Sequence, residues 1–336
     1  MTSAGTLREI TYRDAVREAL HEEMARHPNM IIIGEDLRPG GGTFGVHAGL
    51  AERFDSRMFE SPISESAIVG VALGAAMTGG PSGPVVAEIM YADFLTVAMD
   101  EIVNQAAKIR YMTGGQARVP LVVRAPIGMT RGIAAQHSQS LEAWFAHIPG
   151  LRVAMPSTPA DAKGLLKAAL RGEDPVIFLE PKLLYGSKGL VSDDPELTLP
   201  FGRAALSREG SDLTIVATGL MVSRALDAAT KLAAAGISAE VIDPRTISPL
   251  DWDTIFASVD KTGRALVVNE ATLTCSVASE IAATIGEHRH ASLKGAVRRL
   301  GAPFAPKPST PGLERLSYPQ VDDIVRIARE MLDRRH

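Results

Sequence analysis

The feature that most constrains the fold is an alternation of short β-branched runs with segments of helical spacing. Apolar runs of about four to eight residues, bounded by turn residues, are typical of strands buried in a parallel sheet. In the first half of the chain the predicted strands are Met30–Ile33, Val85–Ala87, Val119–Val123, Val153–Met155 and Val176–Leu179, and the predicted helices are Tyr12–His27, Ser64–Met77, Asp93–Met112 and Pro159–Arg171. This alternation predicts an α/β fold built on a parallel sheet.

The alternation pauses once, which predicts two domains. Periodicity is weak from Gly186 to Gly202, and then the alternation resumes. The later predicted strands are Leu213–Ala217, Ala239–Ile242, Leu266–Asn269 and Ala296–Leu300, and the later helices are Met221–Ala235, Pro249–Val259, Val277–His288 and Val321–Arg334. We predict domains at residues 1–190 and 203–336, joined by a linker at about 186–202, the second being a smaller α/β domain.

Composition and charge exclude several classes of protein. The formal net charge is −4, so the chain lacks the basic surface that binds nucleic acid or anionic lipid. Cys275 is the only cysteine, which excludes an internal disulfide. Arg8 and Glu9 interrupt the start of the chain where an export signal would be apolar, and glycines and prolines at 79–84 break the longest uncharged stretch. We predict a cytoplasmic protein without nucleic-acid or membrane partners.

The common catalytic motifs are absent from the sequence. There is no GxxxxGK[ST] segment and no GxGxxG between a strand and a helix, so the chain lacks the usual phosphate-binding loops. There is also no GxSxG and no HExxH. These absences disfavour a simple nucleotide enzyme, a serine hydrolase and a zinc enzyme.

Three residues remain as candidates for chemistry, each with a structural alternative. Glu65 follows Ser64, a predicted N-cap. It is therefore either a first-turn acid that the helix dipole stabilises or a buried functional acid. His137 lies in a loop of small and amide side chains, where it acts in proton transfer or is a hydrogen-bonded structural residue. Phe94 is predicted as a core residue. The residues themselves predict a two-domain α/β protein and no reaction.

At these same residues the sequence resembles a known family. The family is the beta subunit of the thiamine-diphosphate-dependent decarboxylating component of 2-oxoacid dehydrogenase complexes, including the acetoin dehydrogenases. The resemblance covers nearly the whole chain and includes Gly34-Glu35-Asp36, Pro62-Ile63-Ser64-Glu65, Ala92-Asp93-Phe94, Ala135-Gln136-His137-Ser138-Gln139, Ile148-Pro149-Gly150-Leu151, Ile242-Asp243-Pro244-Arg245-Thr246 and Asn269-Glu270-Ala271.

The resemblance implies a fold, a set of partners and a reaction. The fold is a pyrimidine-binding α/β domain followed by a transketolase C-terminal-like domain. The beta chain works with an alpha chain in an α2β2 heterotetramer. The reaction forms hydroxyethyl-thiamine diphosphate from pyruvate and transfers the acyl group to lipoamide of an acyltransferase component, which makes the chain part of an oxidoreductase.

The resemblance also assigns roles to the three candidate residues. Glu65 contacts the ring nitrogen of the coenzyme's aminopyrimidine and so drives formation of the reactive ylid. Phe94 stacks on the pyrimidine, and His137 assists acyl transfer to lipoamide. Mg²⁺ and the diphosphate are held by a GDG-type segment of the alpha chain, which this chain lacks.

A monovalent cation, K⁺, is a further expectation from the resemblance. Relatives bind it through backbone carbonyls, and the positions that match in this chain are Leu121, Ala169, Leu170, Gly172 and Asp174. Gly172 stands where relatives often have aspartate.

Three alternatives stay open. The first is acetoin dehydrogenase, which cleaves acetoin to acetaldehyde and an acetyl group; the stretches 110–112, 182–185 and 269–276 look closer to it than to the branched-chain type. The second is a non-catalytic scaffold or ligand-binding module with the same fold. The third is a thiamine enzyme that needs no second chain.

Overall fold

The structure is a computed structural model that describes residues 5–78, 83–130 and 132–333. Its contacts divide the chain into two compact units. Unit 1 contains Met1–Ile127 and Trp144–Phe201, and unit 2 contains Gly128–Ala143 and Gly202–His336. The segment 128–143 therefore groups with the C-terminal part of the chain, a placement that the sequence did not predict.

Unit 1 is built around a parallel sheet. Its strands are β1 (Leu7–Thr11), β2 (Ile31–Gly34), β3 (Met58–Glu60), β4 (Val85–Glu88), β5 (Leu121–Ile127), β6 (Arg152–Ala154), β7 (Val176–Pro181) and β8 (Lys188–Ser192). Six of them pair in the order β6-β7-β5-β4-β2-β3, all parallel. Strands β4, β5 and β7 are buried along their whole length, as the continuous apolar runs predict.

The helices that begin in the first 170 residues connect these strands. They are α1 (Tyr12–Arg26), α2 (Leu50–Phe54), α3 (Glu65–Met77), α4 (Ala107–Met112), α5 (Glu142–Ala146) and α6 (Pro159–Leu170). Thr11 caps α1 by accepting the backbone N–H of Asp14 at 3.1 Å, and Thr158 caps α6 in the same way through Asp161. These caps fix where each helix leaves the sheet.

Two stretches of unit 1 differ from their sequence patterns. The predicted helix 93–112 begins as a 3₁₀ turn (Ala92–Thr96), continues as a π-helix (Asp100–Ala106) and ends as α4. The stretch interpreted as a linker contains β8, which pairs antiparallel with β1 from Leu7 opposite Ser192. That part of the chain is therefore ordered within unit 1.

Unit 2 contains a second, smaller sheet. The strands of this unit are β9 (Ala205–Arg208), β10 (Leu213–Ala217), β11 (Ala239–Asp243), β12 (Thr246–Ser248), β13 (Ala265–Thr272) and β14 (Arg298–Ala302), and its helices are α7 (Leu220–Ala233), α8 (Trp252–Thr262), α9 (Val277–His288), α10 (Pro311–Leu316) and α11 (Val321–Asp333). All of these strands except β12 form the smaller sheet. The sheet order is β14-β13-β10-β11-β9, with only β9 antiparallel. The predicted class, two α/β domains dominated by parallel sheets, is confirmed.

None of the helices within the described ranges combines the length and the apolar character needed to cross a bilayer.

Candidate functional site

The strand order of unit 1 marks where a ligand would bind. In the strand order, β3 lies next to β2 toward one end of the sheet, whereas β5 lies next to β4 toward the other end. The direction of the connections therefore reverses between β2 and β4. In open parallel sheets, ligands bind at the carboxyl ends of the strands where such a reversal occurs. The crevice at the carboxyl ends of β2 and β4 is therefore the candidate site.

Glu65 begins α3, the helix that follows β3. Its side chain is only 8% exposed, and within the described residues it has no hydrogen bond or ion pair. Ser64 occupies the N-cap position as predicted, but its side chain makes no capping bond there. A buried carboxylate without a protein donor is costly unless a ligand supplies one. This environment favours the functional interpretation of Glu65 over simple helix-end electrostatics.

Glu35 is a second carboxyl group at the carboxyl ends of these strands. The sequence pattern assigned it no role. It directly follows β2, and its Oε2 atom is buried with no partner in the described part of the chain. Burial raises its pKa, and the negative charges of Glu65 and Asp36 raise it further. The signal in the sequence was an acid placed at the carboxyl end of a buried strand.

Phe94 lies in the 3₁₀ turn that follows β4. The Ser66 hydroxyl donates to the Val97 carbonyl oxygen at 2.7 Å, which joins the first turn of α3 to the segment that carries Phe94. The ring is half-buried and packs edge-on against Tyr91 with 6.2 Å between ring centroids. Phe94 is therefore only partly a core residue, because part of its side chain is exposed to solvent.

His137 belongs to unit 2. It lies in the loop 128–143, is half-buried and directly precedes Ser138, whose side chain is fully buried. The structure therefore groups Glu65, Glu35 and Phe94 in unit 1 and assigns His137 to the other unit. Arg131, six residues before His137, lies outside the described residues.

A buried charge cluster lies beside the crevice. Arg124 on β5 is fully buried and donates to Glu88 Oε2 at 2.6 Å and to both Glu180 oxygens at 2.7 and 2.9 Å. The Tyr185 hydroxyl donates to Glu180 at 2.9 Å. His47 lies 3.5 Å from Arg124, and burial together with the Arg124 charge lowers its pKa to about 3. His47 is therefore a neutral side chain at physiological pH.

The residues predicted to hold K⁺ lie at the amino-terminal ends of the strands, away from the candidate crevice. Leu121 begins β5, and the turn 169–174 lies beside it because the Val119 N–H donates to the Glu173 carbonyl oxygen at 3.0 Å. The Ala169 carbonyl already accepts the Gly172 N–H at 3.1 Å, which leaves it one further lone pair. The Asp174 carboxylate is paired with Arg110 and Arg152. Any cation here would rely on main-chain oxygens.

Side-chain metal ligands give no further candidate. In the parts of the chain that the structure describes, no group of three or more His, Cys, Asp or Glu side chains is arranged to hold a metal ion.

Comparisons with known proteins agree with the two-domain α/β fold. The family described as transketolase, pyrimidine binding domain, matches residues 8–188, and transketolase, C-terminal domain, matches residues 202–324. The beta subunit of acetoin:2,6-dichlorophenolindophenol oxidoreductase from Cupriavidus necator is 45% identical over 97% of this chain and 98% of its own length. The chain belongs to the transketolase-like family of dehydrogenase beta subunits.

Other members of this beta-subunit family show a similar degree of identity. Subunit beta-1 of the mitochondrial pyruvate dehydrogenase E1 component from Arabidopsis thaliana is 44% identical over 97% of this chain and 90% of its own length. The beta subunit of 2-oxoisovalerate dehydrogenase from Bacillus subtilis is 45% identical over 96% of this chain and 99% of its own length. Overall identity therefore differs by only one percentage point among relatives that are named for three different substrates.

A solved structure has the same fold over nearly the full length of this chain. A chain described as split gene transketolase, inactive beta4 tetramer, superposes with a TM-score of 0.78 at 25% identity and covers 96% of this chain and 98% of its own.

Proposed function

We propose that this chain is the beta subunit of a thiamine-diphosphate-dependent 2-oxoacid dehydrogenase component that acts on pyruvate. The observation that carries the proposal is the pair of buried carboxyl groups, Glu65 and Glu35, at the carboxyl ends of the unit 1 strands, with Phe94 on the segment that is hydrogen-bonded to the first turn of α3. An aminopyrimidine has a basic ring nitrogen and two flat faces. A carboxyl group and an aromatic ring are the protein groups that match it.

Each of these residues has a distinct part. When bound, the coenzyme supplies an electron sink for carbon–carbon bond cleavage. Glu65 holds the ring nitrogen in its protonated form, and because Glu65 is buried, this charged hydrogen bond is strong. Phe94 orients the ring. Glu35 is the second carboxyl group of the site, and its own pKa is raised by burial first and then by the charges of Glu65 and Asp36.

His137 is proposed as the acyl-transfer residue. The partner in this step is the lipoyl group of an acyltransferase component, whose S–S bond would break: one sulfur would take the acyl group and the other would become a thiol, so that the disulfide accepts the two electrons lost by the substrate carbon. The half-buried imidazole of His137 has two ring nitrogens that can donate or accept hydrogen bonds.

The alpha subunit supplies what this chain lacks. The sequence has no phosphate-binding loop and no GDG segment, so we propose that the alpha chain holds Mg²⁺ and the diphosphate in an α2β2 assembly. The structural relative described as an inactive beta4 tetramer supports this dependence. We also propose that K⁺ binds the carbonyls of Leu121 and the 169–174 turn. The cytoplasm is the proposed location.

Acetoin is the second candidate substrate. The relative from Cupriavidus necator named for acetoin is 45% identical over nearly the full length of both chains. Acetoin cleavage and pyruvate decarboxylation differ in the group lost, acetaldehyde or CO₂.

Co-expression with a cognate alpha chain tests the proposal. The assay follows reduction of dichlorophenolindophenol with pyruvate, acetoin or 2-oxoisovalerate, with and without thiamine diphosphate. We expect activity only when both chains and the coenzyme are present, with pyruvate preferred. A preference for acetoin would select the second candidate. No coenzyme-dependent reduction with any of the three substrates would overturn the proposal, and activity of this chain alone would overturn the need for an alpha subunit.

A further inference from the structure

The loop 128–143 is held by two carboxylates that are distant in sequence. The Met129 N–H donates to Glu270, which lies near the end of β13. The Gly132 N–H donates to both oxygens of Glu314, in α10, at 3.0 and 3.1 Å. Both glutamates are buried, with 8% and 7% of their surface exposed. Charged acceptors make hydrogen bonds about twice as strong as neutral ones, so these are strong attachments.

The loop is also closed on itself. The Gly128 N–H donates to the Gln139 carbonyl oxygen at 3.1 Å, which brings the two ends of the 128–139 stretch together. Gly128 has a φ of +80°, and a Cβ there would lie 2.6 Å from Glu270 Oε1. Glycine is therefore required for Glu270 to approach the backbone.

Within the closed loop the backbone is strained. Ala134 has a φ of +64°, a left-handed conformation that is costly for a residue with a Cβ. Such residues persist where the surrounding structure holds them. Ala134 lies two residues after the Glu314 contact and three before His137, so the external attachment fixes the backbone that leads to the histidine.

A buried lysine balances part of the charge at the base of the loop. Lys307 is 7% exposed and donates to the Ser317 carbonyl oxygen at 2.6 Å. Burial lowers its pKa, whereas the charges of Glu270 and Glu142 raise it. Burial raises the pKa of Glu142 to about 7, and the charge of Glu270 adds to this shift. Lys307 therefore offsets part of the cost of burying Glu270.

We infer that Glu270 and Glu314 are positioning residues that hold the loop 128–143 in the conformation that presents His137. The inference deepens the proposed function, because it takes the acyl-transfer role of His137 from it. The attachment itself is a property of the fold and is testable without activity.

Hydrogen exchange of the full chain tests the attachment. We compare wild type with Glu314→Ala, Glu314→Gln and the control Glu287→Ala, an exposed glutamate in α9. In Glu314→Ala we expect exchange of the 128–143 amides to accelerate by about tenfold or more, since the Gly132 N–H loses its acceptor. Glu314→Gln keeps a carbonyl acceptor and should restore most of the protection. Wild-type exchange in Glu314→Ala would overturn the inference.

Kinetics of the assembled enzyme test the effect on His137. Glu314→Ala should lower kcat by about tenfold with the KM for substrate within about twofold of wild type, and Glu314→Gln should recover most of kcat. Faster exchange with an unchanged kcat would show that the loop is held but His137 is not positioned, which contradicts the inference. If wild type itself is inactive, the proposed function fails while the exchange result still decides the attachment.

A milder variant covers the case in which Glu314→Ala does not assemble. Glu314→Asp keeps the charge but shortens the side chain by one methylene, so it no longer reaches the Gly132 N–H. Accelerated exchange across 128–143 in this variant supports the inference, and wild-type exchange contradicts it.

Discussion

At the scale of single residues, burial decides what the ionisable groups of unit 1 can do. Glu65 and Glu35 lie at one edge of the sheet, and burial and proximity make the pKa of Glu35 higher than usual. The sequence showed Glu65 as a candidate because a helix start was visible. It did not show Glu35, since the proximity of two carboxyl groups 30 positions apart depends on the strand order.

His47 shows the same principle with a measurable consequence for stability. Its side chain is 3% exposed and its pKa falls to about 3 in the fold, because burial and the Arg124 charge disfavour the protonated ring. In the unfolded chain the pKa of this histidine has its ordinary value of about 6.5. Between the two pKa values the unfolded state binds more protons, so His47 makes the protein less stable as the pH falls from about 6.5 toward 3.

We therefore expect His47→Asn to lose less stability than wild type on acidification. Between pH 7 and pH 5 the difference should be about 2 kcal/mol in the free energy of unfolding, since each unit of pH in this range contributes about 1.4 kcal/mol. Urea unfolding at both pH values measures it. The control His290→Gln, at an exposed histidine, should behave as wild type. Equal losses in His47→Asn and wild type would contradict the account.

At the scale of elements, the strands of unit 1 extend through charged residues at which the sequence pattern stops. The apolar runs end at Ala87, Val123 and Leu179, whereas β4, β5 and β7 each continue into the next residue. Those next residues are Glu88, Arg124 and Glu180, and the Arg124 side chain donates hydrogen bonds to both carboxyl groups across the sheet. A hydropathy pattern ends each predicted strand at its charged residue. The hydrogen bonds that allow these charged residues to be buried depend on which strands are neighbours, and hydropathy does not show this.

This pairing predicts a large effect of removing the arginine. Arg124→Met should lower the free energy of unfolding by about 3–5 kcal/mol, because it removes the counter-charge of the buried Glu180 and the hydrogen-bond donor of the buried Glu88. Urea denaturation of the full chain measures this loss. Arg118→Met, at a largely exposed arginine of the same unit, is the matched control and should change stability by less than about 1 kcal/mol. A small effect of Arg124→Met would show that the cluster does not stabilise the sheet.

The helix after β4 shows another limit of periodicity. Buried Ile102 and Ala106 are four positions apart, a spacing that fits an α-helix and a π-helix equally. The pattern thus predicted a helix but not its hydrogen bonding. The irregular start of this segment carries Phe94 and is hydrogen-bonded to the first turn of α3 at Val97.

At the scale of the whole molecule, the two α/β units could be predicted from the alternating pattern, but the grouping of the 128–143 segment could not. Its backbone amides bind glutamates that are 141 and 182 positions away in the chain. No local pattern carries such contacts, and they place His137 in unit 2. The motif around His137 was nevertheless visible in the sequence.

The central claim is that this chain contributes the activating acid to a coenzyme whose phosphates are held by another chain. The most direct measurement compares Glu65→Gln with the control Glu52→Gln, an exposed glutamate of α2, in the complex with an alpha chain. We expect Glu65→Gln to lower kcat by about 100-fold or more, because the amide cannot hold the ring proton, with assembly unchanged by gel filtration. The control should retain full activity. Wild-type turnover by assembled Glu65→Gln would contradict the claim.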